Sequence, residues 1–160
     1  MLNLKPTAKF SSNIAKAIIK YREEKEIETT LELVEIIKNS VPEKYRRLHH
    51  PARKIFQAIR IEVNDELNVF DKALDEALDL IKVGGRVCVI TFHSLEDRMV
   101  KLKFKEFCTG CTCPADFPVC VCGKTPRGKL YTNKPIEPTE KELNENARSR
   151  SAKLRVIIKL

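Results

Sequence analysis

Apolar residues recur at three- and four-residue steps through the first eighty positions, so this part of the chain reads as helices. Residues 8–21 predict an amphipathic helix. Ile14, Ala17, Ile18 and Tyr21 share one side, and Ser11 or Ser12 can cap an inner start. Charged residues 22–28 read as a loop. Thr29 with Glu32 forms a capping box and opens a second helix, with Leu33, Ile36 and Ile37 on one side and an end before Pro42. Residues 42–50 read as a basic connector. Pro51 suits the first turn of a longer helical region, where its missing N–H costs nothing. Phe56, Ile59, Val63, Leu67, Phe70, Leu74, Leu78 and Ile81 follow at helical steps. That run exceeds the usual helix of up to about 20 residues, which predicts a break near Asn64–Asn68. Gly84–Gly85 ends it.

The period then changes. Arg86–Phe92 is a nearly continuous apolar run, the pattern of a strand buried on both faces in a parallel α/β sheet. Ser94 with Asp97 predicts a cap for a helix over 95–107. A cysteine-rich loop occupies 108–126, Leu130–Thr132 predicts a short strand, and Pro135 and Pro138 mark a turn. Thr139 with Glu142 caps a short helix, Ser149–Ser151 reads as a loop, and Ala152–Leu160 predicts a final strand. This order points to the end of an α/β sheet. Three strands are fewer than a doubly wound sheet normally has, and no glycine-rich nucleotide turn, P-loop, zinc-protease or nucleophile-elbow motif occurs.

Composition narrows the class. The chain has 160 residues, 42% of them hydrophobic, enough for a packed core. No apolar stretch is long enough for a bilayer span, and no secretory leader pattern opens the chain. The expectation is a soluble, cytoplasmic protein. Lys and Arg exceed Asp and Glu by 30 to 22, a formal charge of +8, which suits nucleic acid or a basic surface kept for solubility. Five of six cysteines crowd one segment: Cys108, Cys111, Cys113, Cys120 and Cys122. A reducing compartment argues against disulfides, leaving a zinc knot or incidental thiols. The two C-x-C pairs are tighter than usual zinc spacing, while Cys108-x-x-Cys111 fits it better.

Three segments carry possible chemistry. Arg53, Gln57, Arg60 and Asn64 fall on one helical stripe beside the apolar stripe of Phe56, Ile59 and Val63. Such a stripe can hold phosphates and base edges, or be a solvated face. Thr91-Phe92-His93-Ser94-Leu95-Glu96-Asp97-Arg98 follows the predicted strand, at the carboxyl end where open α/β sheets place ligands. His93 there can donate to a substrate, move a proton or serve the turn, and Ser94 reads as a cap. Arg148, Arg150, Lys153 and Arg155 suit a phosphate-contacting edge or an edge strand guarded by charge.

Taken together, HPARKIFQAIRIEVNDEL (50–67), GGRVCVITFHSLEDRMVK (84–101), CTCPADFPVCVCG (111–123), KLYTNKPIEPTEKEL (129–143) and NARSRSAKLRV (146–156) resemble the C-terminal part of the S-adenosylmethionine-dependent small-subunit ribosomal RNA cytosine-N4 methyltransferases, the family also called MraW. The resemblance covers nearly the whole chain. It implies the C-terminal portion of a Rossmann-like class I methyltransferase sheet, about three strands, over residues 50–160. Residues 1–49 would be part of the family's small helical inserted, substrate-recognition domain. It implies transfer of a methyl group to the exocyclic N4 of a cytidine in small-subunit ribosomal RNA. His93, Ser94 and Asp97 would stand at the pocket edge. Arg53, Gln57, Arg60, Asn64, Arg148, Arg150 and Lys153 would contact RNA. The family's cofactor-binding turn and ribose acid have no counterpart here, so the expectation is a fragment, inactive alone and completed by a separate N-terminal half. The competing readings are a stand-alone RNA-binding module whose cysteines, Cys108 included, hold zinc, and a non-functional remnant.

Overall fold

The computed structural model describes residues 10–48, 50–114 and 119–160. Residues 8 and 9 of the first predicted helix, residue 49 of the basic connector and residues 115–118 of the cysteine loop lie outside the described residues. The chain divides into two compact units, Met1–Glu66 and Leu67–Leu160. The helix that follows Pro51 shares a core with the helices before it.

The first unit contains α1 (Ser11–Glu24), α2 (Thr30–Asn39), α3 (Glu43–Leu48) and α4 (Ala52–Val63). Ile14, Ile37, Val41, Ala52 and Ile55 form its buried core, with Phe10, Ile18, Leu33 and Phe56 packed around them. Thr29 caps α2 as predicted. Its hydroxyl accepts from the Glu32 N–H, and the Glu32 carboxylate takes the Thr29 and Glu28 N–H groups at 3.1 and 2.8 Å. The Glu32 side chain also pairs with Lys25. That contact, followed by the two backbone donors, lowers its pKa to about 2.

Two expectations change here. Residues 43–48 form a helix rather than a connector; the Arg47–Glu43 pair one turn apart and the tilted stack of Phe10 on Tyr45, centroids 5.2 Å apart, accompany it. On α4 the buried positions are Ala52, Ile55 and Ile61, while Ile59 and Val63 are 39% and 77% exposed. This helix is apolar on more than one side, so periodicity left two stripes eligible. Packing with α2 selected the one through Ala52 and Ile55.

The predicted break is present. The chain leaves α4 at Asn64, Asp65 adopts φ 50°, and α5 (Glu66–Leu80) begins. A left-handed residue cannot continue an α-helix, and Asp tolerates that conformation better than most.

The second unit adds β1 (Arg86–Thr91), α6 (Ser94–Cys108), β2 (Gly128–Leu130), α7 (Glu140–Glu145), a 3-10 segment (Ala147–Ser151) and β3 (Lys153–Lys159). The chain is mixed α/β, with three strands among the described residues in the order β1-β3-β2. Both pairings are antiparallel, with Val87 opposite Ile157 and Leu130 opposite Ile157. The final strand thus returns between two earlier ones. Leu74, Leu78, Val100, Phe104, Phe107 and Ile157 make the core on one face of this sheet, joined by Val87, Val89 and Leu130.

The continuous apolar run of β1 is not buried on both faces. Val87 and Val89 are half-buried toward α6, whereas Arg86, Cys88 and Ile90 are exposed. Alternation along a strand sends neighbouring side chains to opposite faces, and among the described residues α5 and α6 cover only one. The second strand lies at Gly128–Leu130 rather than Leu130–Thr132, and Ser149–Ser151 belongs to the 3-10 segment rather than a loop. Gly128 sits where a side chain would collide. A Cβ there would come within 2.7 Å of Phe107 Cδ1 and 2.9 Å of the Ile158 carbonyl oxygen. The Phe107 ring and β3 can close together only over a glycine.

Candidate functional site

β1 ends at the buried Thr91, whose hydroxyl donates to the Lys153 carbonyl at 3.3 Å. Phe92 and His93 form the turn into α6, at the strand end where sequence placed a ligand edge. The cap of α6 is His93, not Ser94. His93 is extended (φ −140°, ψ 160°), and its Nδ1 accepts from the Glu96 N–H at 3.3 Å. Glu96 reaches back to the N–H groups of Phe92 and His93 at 3.0 and 3.4 Å. An imidazole thus performs the duty a hydroxyl normally performs, and Ser94 is the exposed first helical residue.

The contact from Nδ1 leaves the proton of the neutral ring on Nε2, an assignment made from the hydrogen-bond pattern. Nε2 lies 3.2 Å from Glu96 Oε1 but is misaligned for a hydrogen bond. It is the buried side-chain polar atom without a partner among the described residues.

One turn into α6, Asp97 accepts from Arg155 of β3 through both carboxylate oxygens, Nε to Oδ1 at 2.7 Å and Nη2 to Oδ2 at 3.2 Å. The two side chains are only 16% and 11% exposed. The Arg155 hydrogen bonds hold the Asp97 carboxyl below its usual range, and the charges of Arg155, Lys153 and Lys101 act in the same direction against partial burial. Asp97 is therefore an ionised anchor tying the helix start to the central strand, with both oxygens engaged. Sequence reading picked out His93, Ser94 and Asp97 but gave Glu96 no role, and it placed Arg155 on a phosphate-contacting or charge-guarded edge, whereas its guanidinium is taken by Asp97. Glu96 carried a signal, since it stands three residues after the turn histidine. Arg155 carried no pairing signal, because its partner is distant in the chain.

The structure treats the two basic stripes separately. On α4, Arg53 and Asn64 are exposed and Gln57 is half-buried. Arg60 forms a fork with Glu66, Nε to Oε1 at 2.8 Å and Nη2 to Oε2 at 3.0 Å, and Asn64 Nδ2 donates to the same carboxylate at 3.2 Å. Half of the predicted RNA stripe is thus engaged by an acid that sequence reading did not associate with it. In the second unit, Arg148 and Arg150 are exposed on the 3-10 segment, and Lys153 is half-buried at the start of β3.

The cysteine loop runs from Thr109 to Arg127. It is closed at its neck by the Arg127 N–H donating to the Phe107 carbonyl at 3.0 Å, and by Gly110 lying against the Pro126 ring. The sulfurs of Cys111, Cys113, Cys120 and Cys122 all lie within 4.8 Å of one another. All are free thiols. Cys108 is outside this group. It packs against the core of the second unit, and burial pushes its thiol pKa up. The backbone N–H groups of Lys124 and Thr112 point at Cys122 Sγ and lower its pKa to about 5.

A cavity of about 760 Å³ lies beside the loop, bounded by Asp75, Asp79, Lys103, Lys105 and Arg127. Its charges are largely matched, Lys103 with Asp71 and Asp75, and Arg127 with Asp79. No residue of the His93–Asp97 turn lines it.

A sequence model described as the MraW methylase family matches residues 5–160. Proteins named ribosomal RNA small subunit methyltransferase H, from Clostridium botulinum strains Hall and Okra, are each 56% identical over 152 residues. The alignments cover 95% of this chain and 49% of each relative, so the chain spans about half the length of these curated relatives.

Proposed function

The chain belongs to the MraW methylase family, and from that premise we propose that it is the C-terminal half of an enzyme that methylates small-subunit ribosomal RNA. The observation that carries this is 56% identity to proteins of that name across 95% of the chain. The edge strand β1 supports it: the strand pairs only with β3 among the described residues and presents Cys88 and Ile90 outward. A sheet that continues into further strands and helices would have such a border. No helix among the described residues is long and apolar enough to cross a membrane.

The finer reaction we propose is transfer of the sulfonium methyl of S-adenosylmethionine to the exocyclic N4 of a cytidine. That nitrogen is a weak nucleophile because its lone pair is delocalised into the ring. Catalysis then rests on extracting the base, aligning N4 with the methyl donor and accepting the proton released. These residues do not fit the cofactor by themselves. β1 is followed by Phe92-His93 rather than a glycine-rich turn, and no glycine-rich nucleotide turn occurs in the sequence. The part we assign to this half is the pocket edge at His93, Ser94 and Asp97. His93 and Asp97 position it through the α6 cap and the tie to Arg155. The stripe of Arg53, Gln57, Arg60 and Asn64, with RNA displacing Glu66 from Arg60 and Asn64, and the edge of Arg148, Arg150 and Lys153 contact RNA phosphates and bases.

The test is complementation. The 160 residues alone are expected to give no S-adenosylmethionine binding by calorimetry. Co-expressed with the N-terminal half of the Clostridium botulinum relative, they are expected to place a methyl group on small-subunit rRNA, read by mass spectrometry of nucleosides. Tight cofactor binding by the chain alone would overturn the division of the site. A soluble reconstituted pair that methylates no ribosomal RNA would overturn the substrate.

A further inference from the structure

The loop between α6 and β2 has an unusual construction. Its neck is fixed by the Phe107–Arg127 backbone bond and the Gly110–Pro126 contact. Beyond the neck no described residue from Cys111 to Arg127 is buried, and Val119 and Val121 are 71% and 76% exposed. Among the described residues no apolar core holds the two limbs together. What faces across them is sulfur, with Cys111 and Cys113 on one limb and Cys120 and Cys122 on the other.

The sulfur spacing is informative. Cys120 Sγ lies 3.5 Å from Cys122 Sγ, and Cys122 Sγ lies 3.7 Å from Cys111 Sγ. A disulfide needs about 2.05 Å, so these are not bonded pairs. A tetrahedral metal with bonds of about 2.3 Å to sulfur places its ligands about 3.8 Å apart, since a tetrahedron's edge is roughly 1.63 times its radius. The separations of 3.5 and 3.7 Å match that edge, and all the others stay within 4.8 Å. Sequence alone counted against the C-x-C spacing; the fold compensates by drawing each pair from an opposite limb.

The outer groups also suit a bound metal. The Cys113 N–H donates to Cys111 Sγ at 3.4 Å, and the N–H groups of Lys124 and Thr112 face Cys122 Sγ. Backbone N–H groups turned toward sulfur orient thiolate ligands and spread their charge. Gly123, at φ 61°, provides the left-handed turn directly after Cys122 and before the Lys124 donor.

We propose that Cys111, Cys113, Cys120 and Cys122 bind one zinc ion as a structural site that fixes this loop. Binding forms four Zn–S bonds. A Zn²⁺ ion and four cysteine sulfurs give a tetrathiolate centre of net charge −2, each sulfur that still carries a proton releasing it to solvent, with no change of oxidation state. All four positions are filled by protein, as in structural rather than catalytic zinc sites. Iron is the other metal that four thiolates select, and metal analysis separates the two. Cys108 takes no part.

The full chain, purified without chelator from zinc-supplemented cells, is expected to carry about one zinc per chain by elemental mass spectrometry. Cobalt added to the metal-free protein should give the thiolate-to-cobalt charge-transfer and d–d bands of a tetrahedral four-sulfur site. The pair Cys120→Ser with Cys122→Ser should lose both signals, while Cys88→Ser and Cys108→Ser should keep them. The cobalt spectrum of the unmutated chain stands whether or not the serine variants fold. Iron in place of zinc, disulfides found by alkylation mass spectrometry of the fresh protein, zinc retained by the double serine variant, or no four-sulfur cobalt spectrum would each overturn the assignment.

Discussion

Asp97 and Arg155 form the tie between the start of α6 and the central strand, and replacing Asp97 by Asn tests it with little change of shape. The substitution removes a charge from a two-point contact of 2.7 and 3.2 Å and leaves a guanidinium that is only 11% exposed. Hydrogen bonds to charged groups contribute roughly 1.5–3 kcal/mol. Removing one partner of a fully buried pair costs roughly 3–5 kcal/mol. This pair still touches water, so the lower range applies, and a loss of about 2 kcal/mol is expected at neutral pH. At roughly 4–8 °C per kcal/mol for a unit of this size, the melting temperature should fall by about 10 °C.

The pH dependence follows from the direction of the shift. Asp97 is held below its usual range by Arg155, so its stabilisation is complete above the ordinary Asp pKa of about 3.9. It is lost as pH falls below that value through the lowered one. The gap between wild type and Asp97→Asn, measured by urea unfolding followed by circular dichroism, should therefore stay constant from pH 7 to about 5 and close below about pH 4. Arg155→Met should also destabilise. The double variant should lose clearly less than the sum of the two, since neither charge is then stranded. Strict additivity, or an Asp97→Asn chain within about 0.5 kcal/mol of wild type at neutral pH, would refute the reasoning.

Two further outcomes follow from local geometry. His93→Ala should destabilise the second unit by about 1 kcal/mol, whereas His93→Ser or His93→Asp should keep most of the cap and Ser94→Ala should be nearly neutral; equal melts for the Ala and Ser replacements at position 93 would contradict the capping role. Gly128→Ala should cost roughly 1–3 kcal/mol in chemical unfolding, because the new methyl meets Phe107 Cδ1 and the Ile158 carbonyl, and adding Phe107→Leu should recover part of that loss.

Much of the local structure was readable before any fold. The Thr29–Glu32 and Thr139–Glu142 caps and the break between α4 and α5 rest on interactions within a few residues, and the three strands showed as local changes in the apolar pattern although their pairing is long-range. The cap of α6 was displaced by one residue because histidine is a rare cap, while the Glu three positions after it carried the signal. The candidate site was half readable. His93 and Asp97 stood out from their place after an apolar run, but their working partners did not. Arg155 meets Asp97 only because β3 returns beside β1, and Arg60 meets Glu66 only because the chain turns sharply at Asp65.

By itself the sequence determined where helices start and stop, which residues carry charge and sulfur, and the family to which the chain belongs, since these depend on neighbours along the chain or on whole motifs in order. Only the tertiary structure decided which face each element buries. β1 reads as apolar throughout, yet α5 and α6 cover one side of it, and α4 offered two apolar stripes from which packing with α2 took one. The same holds for the cysteines. Their clustering was visible in the sequence, but which four meet, and that Cys108 points instead into the core, depends on the neck that closes the loop between Phe107 and Arg127. The reason is common to all three cases: contacts between residues far apart in sequence arise from chain reversal and packing, and neither leaves a periodic mark on the residues that make them.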